Sequence, residues 1–203
     1  MLNKKLTLLL SFIAGICSAS AVTHAAPQAD LFPLKSGNSW TYKVTDPKGK
    51  TSQLKHAVVT VPGKNGAILY KMSVGDKVKV YSKRDGKTFL ESVEFPGKPA
   101  ESVGFTPAKL VIDDKIRMDN VWKWNGIRTQ GNAENEHWQV FPNEKVKVPA
   151  GEFECVRVGG LLVRDKVMVY QTRWFAKSVG VVKSVDVQGS EKTIQELIKY
   201  HVN

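Results

Sequence analysis

The sequence predicts a mostly β, antiparallel fold, a sandwich or curled half-barrel of about ten to twelve strands. Three observations lead there. Short runs in which apolar or aromatic residues alternate with polar ones recur from residue 39 to the C-terminus. Clusters of Gly, Asn, Asp and Pro separate them at short spacing. Apolar residues at helical spacing are almost absent.

The elements follow in chain order. Residues 39–45 alternate around Trp40, Tyr42 and Val44, and Asp46-Pro47-Lys48-Gly49 turns the chain. Residues 54–61 form the next strand. Pro62-Gly63-Lys64-Asn65-Gly66 closes it, with Asn-Gly as a hairpin signal. Residues 67–74 return, Gly75-Asp76 turns into 77–82, and Arg84-Asp85-Gly86-Lys87 turns into 88–95. Five such runs make a meander. Residues 96–107 hold Gly97, Pro99 and Gly104 and read as a loop joining two halves of one sheet system. Residues 110–118 form a strand bent at Asp113-Asp114, and 137–141 another. Beyond Pro149-Ala150-Gly151 come strands at 153–164, 167–175 and 179–187, split by Asp165-Lys166. The last segment, 193–202, fits a helix face through Ile194, Leu197 and Ile198. It also fits a strand face through Ile194, Ile198, Tyr200 and Val202. The preceding Gly189-Ser190 turn favours a strand.

The N-terminus reads as an export signal over residues 1–25. Lys4 and Lys5 precede the apolar run 6–16, and Thr23 and Ala25 supply the small side chains that cleavage needs. Cys17 invites a lipobox reading, but Ile16 before it is branched, so a soluble processed chain is expected without a transmembrane segment. Residues 26–203 then form one β-rich domain, long enough to bury a core without disulfides. Its location is periplasmic or otherwise exported. Cleavage removes Cys17 and leaves Cys155 in a strand-like run, expected as a buried core position.

The formal charge is +11, and +9 once Lys4 and Lys5 are gone. A cationic exported protein favours anionic surfaces, and nucleic acid is not expected in that compartment. The lysines alternate with valine in Lys77-Val78-Lys79-Val80 and Lys145-Val146-Lys147-Val148. The expectation is a wet lysine face and an inward valine face.

The chemistry of enzymes and metals is not visible. His56, His137 and His201 lie far apart without metal-ligand spacing. Ser52-Gln53-Leu54-Lys55 matches Ser-x-x-Lys only on a probable strand, and no Gly-x-Ser-x-Gly elbow occurs. Glu134-Asn135-Glu136-His137 reads as a solvated loop. Asp113 and Asp114 are neighbours that a strand would point apart. No cofactor is implied. The aromatic residues carry the remaining potential. Trp40, Tyr42, Trp122, Trp124, Trp138 and Trp174 are candidates to line an apolar groove for a hydrophobic ligand, against the plainer reading that they fill a core.

Three stretches carry a resemblance. They are Phe32-Pro33-Leu34-Lys35-Ser36-Gly37-Asn38-Ser39-Trp40-Thr41-Tyr42, Val148-Pro149-Ala150-Gly151-Glu152-Phe153-Glu154-Cys155-Val156 and Trp174-Phe175-Ala176-Lys177-Ser178-Val179-Gly180-Val181-Val182-Lys183. In that order they resemble the TapB-like exported bacterial proteins and lipoproteins, a domain of unknown function. The resemblance implies a β-rich envelope domain and brings no activity and no catalytic residues. Many relatives are lipid-anchored, and the weak lipobox here departs from them.

The expected function is therefore a non-enzymatic envelope protein. Its partner is a lipid, another anionic envelope component or an envelope protein. The alternative is an accessory protein docking a larger assembly. A cell-wall or lipid hydrolase ranks last, to be revived by acidic or histidine side chains converging in a cleft.

Overall fold

The computed structural model describes residues 30–129, 131 and 133–203. The export signal expected over residues 1–25 lies outside the described residues. The first six strands are β1 (Ser39–Thr45), β2 (Thr51–Pro62), β3 (Ile68–Val74), β4 (Lys77–Arg84), β5 (Lys87–Glu94) and β6 (Val103–Asp113). The second six are β7 (Val121–Arg128), β8 (Ala133–Val148), β9 (Gly151–Arg164), β10 (Val167–Ala176), β11 (Gly180–Gln188) and β12 (Glu191–His201). Each pairs antiparallel with the next, and β1 pairs with β12, so the sheet closes into a twelve-stranded barrel. Closure goes one step beyond the expected curled sheet. It removes both edges, the exposed liability of an open sheet.

Local chemistry explains the meander. Asn65 and Gly66, and then Asp85 and Gly86, take positive φ at the two hairpin turns where the sequence places Asn-Gly and Asp-Gly. Asp46 Oδ1 accepts from the N–H groups of Lys48 and Lys50 and holds the β1–β2 turn. The final segment is a strand, and it supplies the closing pair Ser39↔His201.

Several expectations need correction. The loop read over residues 96–107 ends at Ser102, and β6 begins at Val103 with Pro107 inside it. The strand read over 110–118 stops at Asp113, where turn hydrogen bonds from Lys115 and Ile116 N–H take over. Pro107 has no N–H for a ladder, and β6 pairs with β7 only at Phe105↔Arg128 and Thr106↔Ile127. Glu134 through His137 are not a loop. They lie in β8, which alternates exposed and buried residues from Ala133 to Val140. Lys77 and Lys79 do not form a wet outer face either; both line the barrel interior.

One end of the barrel is plugged by the segment before β1. Leu31, Phe32 and Leu34 are buried there. Phe32 meets Tyr81 edge-on at 5.4 Å and Phe175 at 6.3 Å. Leu31 N–H donates to Asp114 Oδ1, Lys83 pairs with Asp30, and Ser178 N–H donates to Asp30 O. Asn38, fully buried, donates to Pro33 O and accepts from Asn203 N–H, so the last residue is tied to the same end. The three stretches behind the family resemblance serve this end. Trp40 Nε1 donates to Val179 O and Tyr42 Oη to Val181 O. Ala150 N–H donates to Leu197 O and bends the β8–β9 hairpin tip onto β12. Cys155 is buried under that tip, as expected for a core position. Burial first, then Glu144 and Glu154, pushes its thiol up to about 12.

Candidate functional site

Two cavities with shared lining residues occupy the lumen. An outer one of about 360 Å³ lies at the end opposite the plug. An inner one of about 130 Å³ sits beneath Phe32 and Phe175. Lys79, Val111, Gln171 and Arg173 line both.

The outer cavity has an apolar and a charged lining. Leu90 and Val93 of β5, with Phe95, Val103, Phe105 and Leu110, make part of it apolar. Charged side chains stand beside these, as Lys79 does beside Val93 and Lys109 beside Leu90, and across the lumen from them. Inward alternation along β8 puts Glu134, Glu136 and Trp138 on the lumen face. Lys77 and Lys79 come from β4, Lys109 from β6, Arg128 from β7, Arg164 from β9 and Arg173 from β10. The lining holds more cations than carboxylates.

These charges divide into two groups. The first is a closed network. The Lys109 ammonium bonds to Glu134 Oε1 and to Glu136 Oε1, the latter at 2.7 Å. Arg164 lies 3.8 Å and Arg128 4.0 Å from Glu134 Oε2. Trp138 Nε1 donates to Glu136 Oε2 at 2.8 Å. Among the described residues three of the four carboxylate oxygens thus accept hydrogen bonds, whereas Glu134 Oε2 meets only the two arginines at ion-pair distance and Arg128 Nε has no hydrogen-bond partner. Lys109 also lies over the rings of Phe105 and Trp124, 4.2 and 4.5 Å from their centroids.

The second group is Lys77, Lys79 and Arg173. Among the described residues none of them forms an ion pair with a carboxylate. Arg173 donates to Gln171 Oε1 and lies 4.9 Å over the Trp138 ring. Burial, then Arg173 and Lys77, push the Lys79 ammonium down to about 8, and Asp186 offsets this only in part. Burial, then Lys79 and Lys77, hold His56 near 3, so its imidazole is neutral. His56 Nε2 is buried beside the inner cavity without a hydrogen-bond partner. Both shifts are set first by burial, and the neighbouring cations add to them.

The candidate aromatic residues separate by role. Trp40 and Tyr42 line the inner cavity and Trp138 the outer one. Trp122 stacks on Trp138 at 6.0 Å and 12°. Trp122 and Trp124 lace the thin β6–β7 seam, donating from Nε1 to Leu110 O and Pro107 O. Gly126 makes room for this, since a Cβ there would stand 2.2 Å from the Trp124 ring. Gly160 does the same for Trp138 at 2.3 Å. Trp174 faces away from the lumen and donates to Glu144 Oε1 at 2.6 Å. The charged lining, by contrast, escaped the sequence reading. Its signal was the spacing Glu134-Glu136-Trp138-Val140, which a strand beginning at residue 133 places on one face.

The seam allows a direct test. Trp124→Phe keeps an aromatic ring and removes the donor to Pro107 O, at a cost of about 0.5–1.5 kcal/mol for the lost hydrogen bond. Amide hydrogen exchange should quicken in β6 and β7 and stay unchanged in β9 and β10. Uniform quickening would refute a side-chain-laced seam.

The class defined by this geometry is a closed antiparallel barrel, plugged at one end, with a cationic, aromatic-walled lumen. Two solved structures share the fold. One is a candidate lipoprotein from Parabacteroides distasonis ATCC 8503, 15% identical, with a TM-score of 0.51 over 85% of this chain and 99% of that one. The other is a candidate exported protein with YmcC-like fold from Bacteroides fragilis NCTC 9343, 16% identical, with the same TM-score and coverage. At this identity the likeness establishes the fold alone. No protein-family model matches the chain, and no curated protein matches it significantly.

Proposed function

We propose that this chain is a non-enzymatic exported envelope protein whose lumen holds a hydrophobic or amphiphilic anionic ligand. One observation carries the reading: the outer cavity brings apolar side chains of β5 and β6 together with cations that lack carboxylate partners, Lys79 beside Val93 on the neighbouring strand and Arg173 from β10. Its volume of about 360 Å³ falls within the range of small-molecule sites. Trp40, Tyr42 and Trp138 are the candidate aromatic contacts, joined by Lys77, Lys79 and Arg173. Export is supported by the signal-like N-terminus and by what the two fold neighbours are described to be. The TapB-like resemblance points the same way.

Glu134 and Glu136 do converge in the cleft, the arrangement that would favour a hydrolase. Three of their four oxygens, however, accept hydrogen bonds from Lys109 and the Trp138 indole, and Arg128 and Arg164 stand 4.0 and 3.8 Å from the fourth. A general acid or base needs an oxygen free to meet substrate.

Native mass spectrometry of protein purified from the cell envelope tests the proposal. The expected spectrum shows an added mass released as an anionic amphiphile. Repeated ligand-free recovery, with no tryptophan fluorescence response to anionic amphiphiles at low salt, would overturn it.

A further inference from the structure

We infer that Lys79 and Arg173, supported by Lys77, form an anion subsite at the junction of the two cavities, so that a single-chain anionic amphiphile enters head-first with its tail along the β5–β6 wall. This rests on the lumen-binding reading above and adds the headgroup site and the ligand's direction.

Placement argues for it first. Lys79 and Arg173 line both cavities, whereas Leu90, Val93, Phe95 and Phe105 line the larger, outer one alone. A ligand with its charge at the junction therefore lays its apolar part toward the open end. The reverse orientation would put the chain into an inner space of only about 130 Å³. The charge balance argues second. The lining carboxylates Glu134 and Glu136 are consumed by Lys109, Arg128 and Arg164. The groups facing Lys79 are Lys77 on its own strand, His56 from β2, Arg173 from β10 and Asp186 from β11. Asp186 is the one carboxylate among them, and it forms no ion pair with Lys79 among the described residues. Gathering like charges in a partly dry interior is unfavourable unless an anion joins them. Third, Arg173 is already oriented by Gln171 and by the Trp138 ring face, so it is set to receive an oxyanion.

The site also predicts a pH dependence. An anion prefers the protonated form of Lys79, whose ammonium has been lowered to about 8. Affinity should therefore be full below that pH and fall as pH rises through it. Binding near this pH should take up protons.

The test compares octyl sulfate, 1-octanol and inorganic sulfate by calorimetry on the purified protein. Octyl sulfate keeps its charge across the range, so any pH dependence belongs to the protein. Lys79→Gln and Arg173→Gln should each weaken octyl sulfate about tenfold, the scale of one hydrogen bond to a charged group. Both should leave 1-octanol within about twofold, a neutral-ligand control that also shows the fold intact. Lys79→Arg should restore affinity and abolish the fall above pH 8. Octyl sulfate bound equally by wild type and both glutamine variants would overturn the subsite while leaving lumen binding standing. Sulfate binding that depends on Lys79, without stronger binding of octyl sulfate, would support the anion subsite and overturn the amphiphile. Absence of both sulfate and octyl sulfate binding to the wild type would overturn the subsite.

Discussion

Lys109→Met destabilises the barrel by about 3–5 kcal/mol, because it leaves Glu134 and Glu136 charged and buried with their shared partner gone. Glu134 is 2% and Glu136 7% exposed, so little of either carboxylate meets water that could stand in for the ammonium. Arg128 and Arg164 approach only Glu134, at 4.0 and 3.8 Å, and give Glu136 no relief. Urea unfolding followed by tryptophan fluorescence measures the loss. The triple variant Lys109→Met, Glu134→Gln, Glu136→Gln should recover most of it, since removing all the charges together removes the desolvation cost as well. A single-variant loss under about 1 kcal/mol would mean that the cluster is hydrated and not part of the closed interior.

Phe32→Ala is the second large effect. The ring is buried in the plug and meets Tyr81 and Phe175 edge-on. Truncating a buried phenylalanine costs about 3–5 kcal/mol through lost transfer energy and the space left behind. Here it should also open the inner cavity to solvent at the plugged end, because Phe32 lines that cavity directly. The expected result is a lower melting temperature together with stronger acrylamide quenching of Trp40, measured in a variant whose other tryptophans are phenylalanine. Destabilisation without increased quenching would show that the segment packs on the barrel without sealing it.

The fold was largely legible because its signals are local. Asn65-Gly66, Asp85-Gly86 and Gly75 announce turns through the φ they need, and alternation announces strands between them. Closure was not legible in the same way. It depends on whether the accumulated twist and the bulges, such as those between Thr41 and Tyr42 and between Trp174 and Phe175, bring β1 back to β12. The β6–β7 region was obscured by Pro107, which argues against a strand interior, and by side-chain donors standing where ladder bonds would be.

The site was legible only in its aromatic part. Lys77 and Lys79 alternate with valine, and alternation reports that two faces differ without saying which is inside. The assumption that lysine stays wet holds for Lys145 and Lys147, which are exposed. It fails for Lys79 because the interior itself is charged. Glu134 and Glu136 were masked by polarity: acidic residues beside asparagine and histidine look like solvent-facing chain until Lys109, distant in sequence, is placed against them.

Pairing the first strand with the last has a consequence for assembly. Ser39 cannot find His201 until nearly the whole polypeptide is present. Until then the growing sheet carries two raw margins able to capture a neighbouring chain. Contacts so far apart in sequence also slow the final zipping step. A protein built this way gains from being kept extended until its C-terminal strand is available, and its most vulnerable moment comes before the ring is complete.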